Sequence, residues 1–306
     1  MRDIGVIYLC RFAEGEEPVR RFLATYRAHD AGVDHDLHVV FKGFPDRVSL
    51  EKFYALFDGF DINPIELDDS GFDLGAYVRA AQAVSNRRVI FLNTFSQIQD
   101  ANWLRHFDNA INAPNAGVVG ATGSWQSNAA SYERTLKRLL AKVGIFQKDL
   151  VPHSRPEGGS FQLPLTMQTR SPWRYLLSPF RYSYNVFEYG RHPNPHIRTN
   201  AFMVDRSQFL TLRFPSFANK TDAYKFESGR LSLTRQYIAR GLKVVVVGRN
   251  GQAYAIDQWR NSGTFWTGDQ SNLIVADNRT ADYVEGSEKL RAYLEHIAWV
   301  DPWARP

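Results

Sequence analysis

The chain has 306 residues, of which 44% are hydrophobic and 23% charged, and its formal net charge is +5. This length and composition exclude a globally disordered protein and suit one large α/β domain or two coupled ones. The positive charge suits anionic ligands or an anionic membrane surface, and a solvated basic surface is the alternative. Because the sequence has no Lys/Arg-rich block or RNA-binding aromatic signature, we expect no nucleic-acid partner.

Two features bear on where the protein acts. The single cysteine, Cys10, excludes intramolecular disulfides and fits a reducing compartment. The N-terminal stretch becomes polar too early for a signal peptide, and no apolar run approaches the roughly 20 residues of a membrane helix. We therefore expect a cytoplasmic protein, with the inner face of the membrane as a second place of action.

The first half of the chain alternates continuous apolar runs with amphipathic segments. Continuous runs are typical of buried parallel strands, and apolar residues at every third or fourth position are typical of helices. The predicted elements are strand 4–9, helix 16–29, strand 37–41, helix 49–57, strand 62–67, helix 74–84 capped by Asp73, strand 89–92, helix 102–111 and strand 116–121. This alternation predicts βαβ units and a parallel sheet.

The second half is less regular. Periodicity is lost from about residue 147 to 196, a segment that holds many of the prolines and an aromatic, basic stretch at 173–191. A helix is predicted at 228–240 and a strand at 244–247. The tail from Asp257 is rich in Trp and Asn and is expected to be irregular.

Five segments cover about the first 130 residues: IGVIYLCRFAEGEEPVRRFLATY, HDLHVVFKGF, ELDDSGFDLGAYVRAAQAV, RRVIFLNTFSQI and NAGVVGATGS. In their order and spacing they resemble a GT-A glycosyltransferase, and specifically the bacterial proteins grouped with rhamnan synthesis protein F. A thinner match continues at HIRTNAFMVDRSQFL and YKFESGRLSLTRQYIARGL.

The resemblance implies an α/β fold, with a GT-A-like, Rossmann-type, mostly parallel sheet flanked by helices and an irregular acceptor-side C-terminal half. Residues 1–146 would bind a nucleotide sugar carrying UDP, dTDP or GDP. Residues 147–306 would bind a glycan or lipid-linked glycan, within one continuous domain. The implied activity is hexosyl transfer, with inversion, in bacterial polysaccharide, lipopolysaccharide or O-antigen assembly.

The loop between the third strand and the next helix holds the expected donor contacts. By resemblance, Asp69 and Asp73 are the candidates, since a carboxylate accepts hydrogen bonds from ribose hydroxyls or a base N–H, and Gly75 permits close approach. Arg11 ends the first strand, where its fork is suited to a diphosphate. A helix-cap role for Asp73 and a plain surface role for Arg11 are the alternatives.

The strand at 89–92 ends in Asn93-Thr94-Phe95-Ser96, where the resemblance places the catalytic centre. Asn93 and Ser96 match the family's Asn-Asp-Ser strand end, but Thr94 and Phe95 leave no carboxylate there. Mg²⁺ and Mn²⁺ prefer carboxylate oxygens, so these donor-site residues predict a metal-independent enzyme whose Arg or Lys neutralises the leaving diphosphate. A metal held by an acid from elsewhere, such as Asp100, is the alternative, and Mg²⁺ or Mn²⁺ therefore stays open.

Two acids are candidates for the catalytic base that deprotonates the acceptor hydroxyl. Glu227 precedes the predicted helix at 228–240, a position where inverting GT-A enzymes often carry their base, and Asp222 is the second candidate. The alternative for Glu227 is an acid stabilised at a helix N-terminus by the dipole.

Candidate acceptor contacts lie in the tail, where aromatic faces and polar groups are dense: Trp259, Arg260, Asn261 and Trp266. Core packing is the alternative for them. The stretch 173–191 suits an acceptor lid, a peripheral membrane contact or a packed loop. Histidines 35, 38, 192 and 196 are expected to be structural.

Two other functions compete with glycosyl transfer. The missing carboxylates at Asn93–Ser96 also suit a non-catalytic relative that binds a nucleotide or carbohydrate. A nucleotidyltransferase would need a Gly-rich, basic loop after the first strand, and residues 10–15 supply little of that.

Overall fold

An eight-stranded sheet forms the centre of the molecule, in a computed structural model that describes residues 2–130 and 178–300. The strands in these ranges are β1 (Ile4–Arg11), β2 (His35–Lys42), β3 (Ile62–Leu67), β4 (Arg88–Leu92), β5 (Gln97–Ile98), β6 (Ala116–Gly120), β7 (Gly123–Ser124), β8 (His196–Ile197), β9 (Ala201–Asp205), β10 (Lys243–Val247), β11 (Ala253–Tyr254) and β12 (Val275–Ala276). The helices are α1 (Glu16–Ala28), α2 (Arg47–Tyr54), α3 (Phe72–Ala83), α4 (Trp103–Ile111), α5 (Ser178–Tyr189), α6 (Arg206–Leu210), α7 (Lys220–Ser228), α8 (Leu233–Ala239), α9 (Asn278–Val284) and α10 (Glu288–Trp299).

The central sheet has the strand order β11-β10-β6-β9-β4-β1-β2-β3. Strands β4, β1, β2 and β3 run parallel, as do β6 and β10. Strand β9 lies antiparallel between β4 and β6, and β11 is antiparallel to β10 at the edge. The sheet is therefore mixed and mostly parallel, with helices on both faces, and the predicted α/β fold class is confirmed.

Alternation along β1 shows why both faces are covered. Val6 and Tyr8 point to one face and pack with α1, α2 and α4, whereas Ile7 and Leu9 point to the other and pack with α3. All four side chains are fully buried. This is the pattern of a parallel strand with helices on both sides, and it explains the continuous apolar run in the sequence.

The strand order reverses beside β1. The chain passes from β1 to β2 to β3 in one direction and then returns, through α3 on the opposite face, to β4 on the other side of β1. In such doubly wound sheets, ligands bind outside the carboxyl ends of the strands where the order reverses. The fold therefore places the expected ligand crevice beyond Arg11 and Leu92.

The helix predicted to be capped by Asp73 begins earlier. α3 starts at Phe72, and its N-cap is Gly71, whose φ of +80° suits glycine and which supplies no side-chain cap. Asp73 lies in the first turn, where a negative charge is favoured by the helix dipole. The cap prediction was wrong because a glycine turn, and not a carboxylate, ends the loop.

Two further differences lie in the second half. The helix predicted from 228 to 240 begins later, because α7 ends at Ser228 and α8 starts only at Leu233, where Ser232 is the N-cap. The tail, expected to be irregular, forms α9 and α10, whose first turns are capped by Asp277 and Ser287. Local capping chemistry therefore accounts for both differences.

Helix α5 lies within the segment predicted as an irregular loop, residues 147–196, and the part of that loop before residue 178 lies outside the described residues. Within 2–130 and 178–300, no helix combines the length and apolar character that crossing a membrane requires.

Two glycines test the packing. A Cβ on Gly123 would lie 2.5 Å from Trp259, whereas a Cβ on Gly75 in α3 would lie 3.6 Å from Phe217, an ordinary contact. We expect Gly123→Ala to lower the free energy of unfolding by about 1–3 kcal/mol through overpacking. We expect Gly75→Ala to raise it by up to about 1 kcal/mol, because Ala is the better helix former. Urea denaturation of both variants measures the two changes in the free energy of unfolding. Equal changes would contradict the difference in packing around Gly123 and Gly75.

Candidate active site

The carboxyl ends of β1, β2 and β3 bring three charged side chains together. Arg11 lies opposite Lys42 in the β1–β2 register, and Lys42 lies opposite Leu67, two residues before Asp69. The Asp69 carboxylate accepts a bidentate pair from Arg11, with Nε–Oδ1 and Nη2–Oδ2 distances of 2.9 Å each. Lys42 Nζ donates to Asp69 Oδ1 at 2.6 Å and to its carbonyl oxygen at 2.8 Å.

These contacts fix the charge of Asp69. The hydrogen bonds from Arg11, followed by the hydrogen bond from Lys42, hold the pKa of the Asp69 carboxyl well below its usual range. The Lys42 side chain is fully buried, so it depends on Asp69 for its counter-charge. Arg11 also donates to Glu14 at 3.1 Å. Its fork is therefore occupied by protein carboxylates in this structure, and its predicted contact with a diphosphate stays a prediction.

Asp73 has a different environment, although it lies only four residues beyond Asp69 in the sequence. Its side chain is exposed to solvent, yet protein atoms surround it closely enough that desolvation raises the pKa of its carboxyl, against the opposing charges of Lys42 and Arg11. Among the described residues, none donates a hydrogen bond to this carboxylate or pairs with it as an ion. Two neighbouring carboxylates with opposite pKa shifts indicate different roles, and Asp73 is the one left open to a ligand.

The end of β4 is a turn that satisfies its own polar groups. Asn93 Oδ1 accepts hydrogen bonds from Phe95 N at 3.1 Å and Ser96 Oγ at 3.0 Å. Thr94 and Ser96 are buried, and the Thr94 carbonyl accepts from Tyr8 Oη at 2.9 Å. Of the three predicted donor contacts at this turn, only Asn93 is partly exposed.

The same turn is a poor match for a divalent cation. Its oxygens are neutral, and the Asn93 carboxamide oxygen already accepts two hydrogen bonds. Asp100, the alternative ligand, accepts from Arg249 at 3.1 Å and from the Ala101 amide. In the described parts of the chain, no group of three His, Cys, Asp or Glu side chains is arranged to hold a metal.

Glu227 lies at the same edge of the sheet. It occupies the last turn of α7, and its Oε1 accepts from the Thr199 amide at 3.4 Å. Thr199 lies just before β9. The carbonyl of the next residue, Asn200, accepts a hydrogen bond from the Asn93 amide at 2.9 Å. A carboxylate at a helix C-terminus is disfavoured by the dipole. The alternative of an acid stabilised at a helix N-terminus is therefore wrong for Glu227.

Asp222, the second candidate base, is held by its own loop. Its carboxylate accepts from Ser216 Oγ at 2.9 Å and from the Ala218 amide at 3.1 Å. Asp222 therefore fixes the entry to α7, whereas Glu227 makes one long contact and no ion pair with a described residue.

The predicted acceptor contacts separate into two kinds. Trp259 and Trp266 are fully buried, and each indole donates to a backbone carbonyl, that of Tyr254 and that of Arg279 respectively, at 3.0 Å. Core packing accounts for both rings, which present no face to a ligand in this structure. Arg260 and Asn261 are exposed, and the acceptor role stays a prediction for these two residues.

His35, His38 and His196 have structural partners. His38 contacts Asn86 Oδ1 at 2.8 Å, and His196 contacts the Asn194 carbonyl at 2.9 Å. Helix α5, the described part of the aromatic stretch, exposes Tyr184 and Phe187. A membrane contact there stays a prediction.

Three residues near the candidate site are not among those predicted from the sequence. Lys42 is the first of them, although a lysine that ends an apolar strand is a recognisable signal. Arg198 and Asn200 lie in a turn between short strands, and no local pattern marks them.

A cavity of about 970 Å³ opens at the opposite edge of the sheet, lined by Tyr26, His29, Asp30 and His35, the first residue of β2. Parallel strands place their ligand sites at their carboxyl ends, so we locate the candidate site at the edge that carries Asp73 and Glu227.

No protein-family model matches the chain, and no curated protein matches it. The resemblance to the rhamnan synthesis protein F group therefore stays a prediction.

Among solved structures, the chain is similar to the mannosyltransferase PcManGT from Pyrobaculum calidifontis in complex with GDP-Man and Mn²⁺, with 10% identity over 96% of this chain and 69% of that chain and a TM-score of 0.45. It is similar to the galactosyltransferase LgtC in complex with donor and acceptor sugar analogs, with 10% identity over 79% and 73% and a TM-score of 0.40. It is also similar to S. aureus TarS 1-349 in complex with UDP-GlcNAc, with 16% identity over 39% of this chain and a TM-score of 0.32. That last match spans 34% of the TarS chain.

The contribution of the charge network at the strand ends to the free energy of unfolding can be measured. We expect Asp69→Asn to lower the free energy of unfolding by about 1–3 kcal/mol near pH 7, because Lys42 loses its counter-charge. The folded pKa of Asp69 lies below its ordinary value of 3.8, so this stabilisation is present above pH 3.8 and is lost as the pH falls through the folded value.

Urea denaturation of wild type and Asp69→Asn from neutral to acidic pH measures the difference, which should shrink towards acid. Glu17→Gln is the matched control, since Glu17 is exposed and makes only a long ion pair of 3.6 Å with Arg21. A difference that grows on acidification would contradict the assignment.

Proposed function

We propose that the protein is a glycosyltransferase that moves a sugar from a nucleotide sugar to a glycan or lipid-linked glycan acceptor, with inversion and without a divalent cation. The observation that carries the proposal is a pair of carboxylates, Asp73 and Glu227, at one edge of a doubly wound sheet. They lie on helices α3 and α7, which pack against each other. Neither is held by an ion pair with a described residue.

Asp73 suits the nucleotide. A carboxylate that has no hydrogen-bond or ion-pair partner among the described residues is a strong acceptor for ribose hydroxyls or a base N–H, and UDP, dTDP and GDP all provide such donors. Asp69, by contrast, holds Arg11 and Lys42 and so positions the loop that leads into α3. Asp69 is therefore a positioning residue in this proposal, and Asp73 makes the contact.

Glu227 is suited to act as the catalytic base. In a direct displacement, the acceptor oxygen attacks the anomeric carbon while its proton passes to Glu227. A new C–O bond forms, and the bond from the anomeric carbon to the diphosphate oxygen breaks, with its electron pair leaving on the nucleotide. Because the carboxylate of Glu227 makes one long hydrogen bond and no other with a described residue, it is available for this proton.

Replacing the proposed base should separate binding from turnover. We expect Glu227→Gln to lower kcat by about 10²- to 10⁴-fold, the usual contribution of general base catalysis, while nucleotide affinity stays near that of wild type. Transfer and donor hydrolysis are assayed across UDP-, dTDP- and GDP-sugars, with and without EDTA.

Asp222→Asn is the comparison variant, because it removes an acid of the same helix that holds its own loop. Full activity of Glu227→Gln with loss in Asp222→Asn would move the base to Asp222. Sensitivity of wild-type transfer to EDTA would contradict metal independence.

The nucleotide contact has its own test. We expect Asp73→Asn to weaken binding of the matching nucleoside (uridine, thymidine or guanosine) by about tenfold, since a charged acceptor is lost. Because the pKa of Asp73 is raised, wild-type affinity should fall as the pH drops through that raised value, and the variant should lack this dependence.

Calorimetric titration across a pH series measures both effects. Asp68→Asn is the matched control, because that exposed acid of the same loop is held by Ser70 and Arg79. Equal affinities and pH profiles for wild type and Asp73→Asn would rule out the contact.

A second candidate function is a non-catalytic relative that binds a nucleotide or carbohydrate. The self-satisfied turn at Asn93–Ser96, which has no carboxylate, favours it. Nucleoside binding that depends on Asp73, without turnover of any donor and acceptor pair, would support this function instead.

A further inference from the structure

Arg198 holds a positive charge that is not paired in the described structure. It lies in the turn between β8 and β9, with its guanidinium carbon 4.8 Å from the ring centre of Phe265 and 5.7 Å from that of Trp266. Its Nε atom is buried and has no hydrogen-bond partner among the described residues. Leaving a buried N–H donor of a charged group without a hydrogen bond costs free energy. An anion that accepted this hydrogen bond would therefore be bound favourably here.

The backbone of a second arginine contacts the same aromatic pair. The Phe265 and Trp266 rings stack with centroids 4.4 Å apart, and the Trp266 indole donates to the Arg279 carbonyl. Desolvation, and then repulsion from Arg198, lowers the pKa of Arg279, although Asp277 and Asp282 oppose this effect. Arg279 is thus tied through its backbone to the rings that Arg198 contacts, and its charge adds to that of Arg198.

A third donor lies two residues beyond Arg198. Asn200 is 6% exposed, and its Oδ1 accepts from Thr122 Oγ1 at 2.8 Å. Its Nδ2 is buried and has no hydrogen-bond partner among the described residues. Arg198 Nε and Asn200 Nδ2, the two donors without a partner among the described residues, thus belong to the residues on either side of Thr199. The amide of Thr199 contacts Glu227.

We propose that Arg198 and Arg279, together with the Asn200 amide, form an anion site that receives the diphosphate of the leaving nucleotide. The site rests on the proposed function and supplies what the neutral turn at Asn93–Ser96 does not, a positive charge for the leaving group. When the bond between the anomeric carbon and the diphosphate oxygen breaks, the electron pair stays on that oxygen, beside the guanidinium groups. The acceptor proton goes to Glu227, so the charge and the proton separate to different groups.

Arginine side chains are suited to binding a diphosphate. A guanidinium fork matches phosphate oxygens in a bidentate arrangement, and it keeps its charge when it is partly desolvated. Contact with Phe265 and Trp266 favours the cation by the attraction between a cation and the face of a ring. The rings therefore hold Arg198 in place before any anion binds.

The test measures binding of inorganic pyrophosphate and of UDP, each in EDTA, by calorimetric titration of the full chain. We expect Arg198→Gln and Arg279→Gln each to weaken pyrophosphate binding by about tenfold or more, with Arg198→Lys intermediate because it keeps the charge and loses the fork. Arg21→Gln is the matched control, since Arg21 is an exposed arginine of α1, and it should bind as wild type does. Circular dichroism and urea denaturation confirm that each variant is folded.

The outcomes separate this site from the proposed function. Loss of pyrophosphate binding in folded Arg198→Gln supports the anion site even if no donor sugar is ever transferred. Unchanged pyrophosphate and UDP binding in both glutamine variants overturns it, even if the wild type proves to be a glycosyltransferase.

Discussion

A fully buried lysine needs a counter-charge, and this requirement organises the carboxyl edge of the sheet. Lys42 ends β2 with its ammonium inside the protein, and Asp69 supplies the charge while also receiving the fork of Arg11. Three parallel strands are thereby tied together at their ends through one carboxylate. The loop that leaves this carboxylate enters α3, so the position of Asp73 depends on the same contact.

Two pairs of acids show how environment divides roles between similar groups. Asp69 and Asp73 are four residues apart, yet one carboxylate is fully engaged by cations and the other has no partner among the described residues. Asp222 and Glu227 differ in the same way, because the first accepts two short hydrogen bonds from its own loop and the second one long bond. In each pair the acid that is held by several protein contacts precedes the acid that has fewer partners among the described residues.

Much of the sheet follows from the sequence, because short apolar runs such as Ile4–Leu9, separated by amphipathic segments, favour buried strands. The candidate site follows in part, since the family resemblance points to Asp73 and Glu227, although the helix starts predicted beside them were wrong. The sequence could not show that Asp69 is engaged by Lys42, because that contact joins residues from separate strands. Nor could it show that Trp259 and Trp266 are buried, since an aromatic cluster looks the same in a core and in a binding face.

The antiparallel strand β9 has a consequence for how the chain reaches its native state. It lies between β4 and β6, although it follows β6 by about 80 residues, so those two strands pair with it only after a long loop closes. Such non-local pairing slows folding, and until it forms, β4 and β6 present open edges to other chains. A ribosome-bound chain that ends before β9 would carry β6 without either neighbour, since β10 comes later still. The N-terminal half of the sheet is therefore completed by the C-terminal half, and dividing the protein between them would cut through its hydrogen-bonded centre.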